Sequence, residues 1–143
     1  MKIRTTILAL LLLASASLQA HTYTSTSVLS SGKWVKMRVT ETGIHCLTYE
    51  ELAAAGLNPA EVRIYGYGGA PLSQNFRLEK KDDLPPVTFY MHTGSDGVFN
   101  QGDYILFYAQ GVDGWEYTNK HFIHTRNSYS RYGYYFLTDN AGR

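Results

Sequence analysis

Cysteine is almost missing from this sequence: Cys46 stands alone. One thiol excludes an internal disulfide and leaves no cysteine-rich zinc site. Charge of one sign is missing too. Lys and Arg number 13 against 12 Asp and Glu, a formal net charge of +1. That balance gives no electrostatic footprint for nucleic acid or for an anionic membrane surface. Long hydrophobic runs are absent as well. The stretch Ile7 to Leu13 is seven residues long, well short of the roughly 20 that a transmembrane helix needs. Two familiar signatures also fail. No Gly-x-Ser-x-Gly elbow occurs, and "YGYGGA" lacks the Lys and the spacing of a phosphate-binding loop. No repeat recurs at a fixed period.

What is present starts with an export signal. Lys2 and Arg4 make a basic start, the apolar run follows, and small residues lead to Leu18-Gln19-Ala20. That order predicts a secretory signal peptide over residues 1–20, cleaved after Ala20. His21, not Cys, follows, which argues against a lipoprotein anchor there. Without Lys2 and Arg4 the mature chain carries eleven basic and twelve acidic side chains, a net of −1. In an oxidising compartment and without disulfides, it must hold together by core burial alone.

Residues 21–32, "HTYTSTSVLSSG", read as a flexible Ser/Thr-rich lead-in, with Val28 and Leu29 as a candidate edge-strand start. The β-rich module then runs over 33–143. In "KWVKMRVT", Val35, Met37 and Val39 alternate with Lys36, Arg38 and Thr40, the period of a half-buried strand. Thr42-Gly43 predicts a hairpin turn, with "IHCLT" as the returning strand. "TYEELAAAGLNP" predicts the single helix. Thr48 and Glu51 have capping-box spacing. Gly56 suits the left-handed residue after the helix, and Pro59 stops continuation. Further strands are predicted at 62–69, ending in a glycine turn, and at 87–92, 104–109, 115–117, 121–125 and 132–138. Twelve Tyr and six Phe suit strand geometry. The fold class is therefore mostly β: an antiparallel β-sandwich-like module of seven or eight strands with one short helix.

Few residues suggest chemistry. In "DGVFNQGDYILFYAQG", Asp96, Asn100 and Asp103 are oxygen donors of the kind calcium takes from a flexible loop. The EF-hand pattern fails, because Val98 and Phe107 stand at ligand positions. The competing reading is two turns, Ser95-Asp96-Gly97 and Gln101-Gly102-Asp103, in which the side chains bond nearby backbone. His121 and His124 are three apart, so a strand sends them to opposite faces and they share no metal without a bend. Cys46 could be a nucleophile, but neighbouring His45 points the other way; a small buried hydrophobe is the expectation. Tyr129, Tyr132 and Tyr134 could form a sugar-stacking platform. Core and cross-strand packing is the competing account. No catalytic residue and no certain cofactor is assigned.

Three stretches also carry a resemblance: "SGKWVKMRVTETGIHCLTYEELAAAGLNPAEVRIYGYGG", "GSDGVFNQGDYILFYAQG" and "NSYSRYGYYFLT". In that order they resemble the N-terminal region of the type IX secretion system sortase of Bacteroidota, a gingipain-like cysteine peptidase. The resemblance implies an outer-membrane location on the cell face, with the periplasm as the alternative. It implies an enzyme that removes C-terminal sorting domains from secreted cargo and joins cargo to anionic lipopolysaccharide. The implied partners are the rest of the sortase polypeptide, outer-membrane secretion components and cargo, with no nucleic acid. The family's Cys and His belong to a domain far downstream, so that role does not transfer to Cys46. Members are several times longer than this chain, which implies a truncated product or fragment, incomplete after Arg143. The alternative is a free-standing secreted module that binds envelope glycan or protein.

Overall fold

The computed structural model describes residues 23–140 apart from Gln74, Phe76 and Glu79. The expected signal peptide lies outside the described residues. Nine strands and one α-helix follow in order: β1 Val35–Val39, β2 Gly43–Thr48, α1 Tyr49–Ala54, β3 Arg63–Tyr65, β4 Pro86–Val87, β5 Phe89–His92, β6 Tyr104–Ala109, β7 Gly114–Thr118, β8 His121–Thr125 and β9 Gly133–Thr138. They form a four-stranded sheet in the order β1-β9-β3-β4, a three-stranded sheet β2-β6-β5 and a two-stranded hairpin β7-β8. All of these pairings are antiparallel. The mostly β, antiparallel architecture with one short helix is as the sequence predicts.

The two larger sheets bury their inner faces against each other. Val39, Ile64, Tyr135 and Leu137 come from one sheet; Ile105, Phe107 and Ala109 come from the other; all are buried in one cluster. The Phe107 and Tyr135 rings meet edge-on at 5.6 Å, a favoured aromatic geometry. The Tyr135 hydroxyl accepts a hydrogen bond from the Gln110 N–H at 2.9 Å, so its polar end is satisfied.

The helix forms as its caps dictate. Thr48 Oγ1 accepts from the Glu51 N–H, and Glu51 Oε2 accepts from the Thr48 N–H. At the other end the Leu57 N–H reaches the Leu52 carbonyl and the Gly56 N–H reaches that of Ala53. This is a Schellman closure, with Gly56 at φ +74. Leu52 is the helix residue that enters the core.

Three expectations need correction. β1 and β2 do not form a hairpin: β1 pairs with β9 and β2 with β6. Alternation fixes which side chains point inward, but a turn between sheets satisfies it as well as a hairpin does. The predicted strand 87–92 is two strands broken at Thr88, with β4 in one sheet and β5 in the other. Such switching is how sandwiches make corners. Val28–Ser30 is a 3-10 turn capped by Ser27, not an edge-strand start. Asp83 holds it: its carboxylate accepts from the Val28 N–H and from the Ser27 hydroxyl.

Candidate functional site

The loop before β6 acts on its own chain. Asp96 Oδ1 accepts from the Val98 N–H at 3.0 Å, and Oδ2 accepts from the Asn100 amide at 2.8 Å. Asp103 Oδ2 accepts from the Asn100 N–H at 2.9 Å. The Val98 N–H and then the Asn100 amide hold the Asp96 carboxyl below its ordinary range, against a raising effect of desolvation. The loop is also fastened to α1. The Tyr49 N–H donates to the Asp103 carbonyl at 2.9 Å. Glu50 Oε1 accepts from the Gly102 N–H at 2.9 Å. Phe99 is thereby buried, with its ring 5.7 Å from that of Tyr49. Asp96, Asn100 and Asp103 are thus brought together as turn formers. Among the described residues, no group of three or more His, Cys, Asp or Glu is placed to hold a metal ion.

The other candidates separate. Cys46 is exposed, not the buried hydrophobe expected. It lies opposite Leu106, on the face of β2 that turns away from the core. His45, on the inner face, has Nε2 3.0 Å from the Glu41 carbonyl and its ring 5.9 Å from that of Phe107. His121 lies opposite Thr118, and His124 opposite Trp115, on the hairpin. Tyr129 is 88% exposed. Tyr132 and Tyr134 are partly covered by cations, with Arg38 Cζ 4.5 Å and Lys36 Nζ 3.8 Å from their ring centroids.

Two clefts meet beside Asp113 and Thr40. One, of about 660 Å³, lies against the loop 126–131. Its walls are mostly self-satisfied. Asn127 donates to the Gly69 carbonyl and accepts from the N–H groups of Tyr129 and Ser130. The Arg126–Asp113 ion pair there is long, 3.8 Å, and well exposed, so it adds little stability. The other cleft, of about 400 Å³, is lined by Tyr108 from the sheet and by Trp115 and His124 from the hairpin.

That second cleft joins two apolar surfaces that the sequence reading missed. The outer face of β2-β6-β5 presents Ile44, Tyr90 and Tyr108, which are 67%, 60% and 58% exposed. Leu106 lies between Cys46 and Tyr90, and the Tyr104 ring stacks on His92 at 4.7 Å. Among the strand residues of that face there is no Lys, Arg, Asp or Glu. The hairpin carries a second aromatic face, with Trp115 packed on His124 and Tyr117 on Phe122. A signal for the first was present in the sequence: "YILFYA" is apolar at every position, the pattern of a strand covered on both faces.

The geometry assembles no nucleophile–base pair from Cys46, which turns outward while His45 turns inward. Among the described residues no helix is long and apolar enough to cross a membrane. No protein-family model matches the chain, and no curated protein matches it. The chain is similar to the solved structure of dimeric latent PorU from Porphyromonas gingivalis, with 40% identity and a TM-score of 0.66. The match covers 79% of this chain and 10% of that one. The chain therefore spans about a tenth of the length of the structure it resembles.

Proposed function

We propose that the chain is the non-catalytic N-terminal module of a type IX secretion system sortase related to PorU. The observation that carries this is the 40% identity over 79% of the chain, against only a tenth of a much longer protein. The placement of Cys46 and the histidines supports the non-catalytic part. The larger enzyme would remove C-terminal sorting domains and attach cargo to anionic lipopolysaccharide, with the chemistry in a domain outside this chain. Its place would be the outer membrane, facing outward, after export by the leader at residues 1–20. The module's work is packing against the rest of that polypeptide and its outer-membrane partners. The test is the intact mass of the native protein, captured from cells through residues 33–66. A mass far above that of residues 21–143 supports the reading; a mass equal to it overturns it.

Two other readings have narrower support. A free-standing module for envelope glycan has the exposed Tyr129 in its favour, while Arg38 and Lys36 already occupy faces of Tyr132 and Tyr134. For calcium at Asp96, Asn100 and Asp103, the carboxylates would share their oxygens between the ion and the N–H groups they already accept from. Calorimetric titration with calcium tests it: no heat and an unchanged melting temperature sink the metal idea.

A further inference from the structure

We infer that the outer face of β2-β6-β5 and the aromatic face of the β7-β8 hairpin form one docking surface, and that its occupant is another domain of the same polypeptide. This rests on the sortase-module reading. Its anchors are Ile44, Tyr90, Tyr108, Trp115, Tyr117 and Phe122, with exposures of 58% to 72%.

The first argument is continuity. Tyr108 and Trp115 line the same 400 Å³ cleft, so sheet face and hairpin face adjoin there. The second is charge. Water-facing sheet surfaces ordinarily carry charged side chains, and large contiguous apolar patches mark interfaces. The strand residues of this sheet face include none, while the opposite sheet carries Lys36 and Arg38 on its outer side. Depletion of charge at the centre is typical of permanent interfaces more than of passing encounters. The third is the hairpin. A two-stranded ribbon is marginal in water by itself. β7 and β8 pair only with each other among the described strands, and nearly every residue on them is exposed. A bracing surface from outside the chain accounts for aromatic residues on such a ribbon. The fourth argument chooses the occupant. The matched structure is some ten times longer than the matched stretch, so the covering surface can be held covalently at high effective concentration.

Cys46 supplies a native probe, because it sits within the sheet face and is exposed in this chain. Native protein from cells is pulsed with iodoacetamide, denatured, digested, and scored for alkylated Cys46. The same pulse is given to the 143-residue chain alone. The expected result is labelling at least about tenfold slower in the larger native protein, since thiol reaction depends on access. Tyr108→Asp in the larger protein should restore fast labelling, while Tyr129→Asp should not. A large native mass with Cys46 reacting as fast as in the chain alone overturns this inference and leaves the sortase reading standing. A native mass equal to that of residues 21–143 overturns both. Labelling of the chain alone that slows with its own concentration would make the occupant a second copy, and would also overturn the inference.

Discussion

On the outside of the four-stranded sheet, Lys36 lies over Tyr134 and Arg38 over Tyr132, and Trp34 meets Tyr65 edge-on at 5.3 Å. On the outside of the three-stranded sheet, Ile44, Tyr90 and Tyr108 stand in the open, on strands that carry no Lys or Arg of their own. Both sheets use aromatic residues freely. The difference lies in what covers them. Long basic side chains lay their alkyl stems on apolar surface and keep the charge in water. The first sheet therefore finishes its own surface from within the chain. The second leaves its surface for something else to finish. Inside, the two are equal partners in one core, and the contrast begins only at the outer pleat.

The largest effect belongs to what the sheets share. Phe107 is 2% exposed and touches Tyr135 across the sandwich. Phe107→Ala should cost about 3–5 kcal/mol, as large core truncations do. Urea denaturation followed by fluorescence would show one transition at lower midpoint. Two separated transitions would mean that the sheets unfold independently, and the premise of a shared core would fall. The next effect is at a backbone crossing on the four-stranded side. A Cβ on Gly133 would stand 2.8 Å from Gly69 N and 2.9 Å from Gly69 Cα. Gly133→Ala should destabilise by about 1–3 kcal/mol through overpacking, measured in the same way. A neutral result would show that the Gly66–Gly69 loop can move aside, and that this sheet is less fixed than its neighbour.

Much of this was readable in advance, and the failures share a cause. The capping pair Thr48 and Glu51, Gly56 at the helix end and the limits of β6 follow from local rules that a short window contains. The partner of β1 does not: Val35, Met37 and Val39 point inward whether β1 pairs with β2 or with β9. Thr88 carries no mark of a sheet switch. "GYGG" reads as a turn, but the approach of Gly69 to Gly133, across 64 residues of sequence, and that of Gly68 to Gln110 are not visible in it. The loop Asp96–Asp103 was legible as two turns, but its fastening to Glu50 and Tyr49 was not. The outward position of Cys46 was within reach, since it follows from His45 and Leu47 facing the core. The expectation for a lone cysteine, that it is buried, pointed the other way.

The smallest effects test the contrast most directly. In the 143-residue chain alone, Lys36→Ala removes the ammonium from the Tyr134 ring and should cost about 0.5–1 kcal/mol, the scale of an exposed cation–π contact. Ile44→Thr keeps a β-branched side chain on the strand, as β2 prefers. It removes only apolar surface that already faces water, so its cost should stay within about 0.5 kcal/mol. Paired urea midpoints decide between them. If Ile44→Thr proves the more damaging, something in the chain already covers that face, and the two sheets are finished alike. In a larger native protein the ranking should reverse, because Ile44 would then lie in an interface while Lys36 still faces solvent. The same two substitutions thus report on opposite faces of the sandwich, and only a covered three-stranded sheet makes their order depend on the rest of the polypeptide.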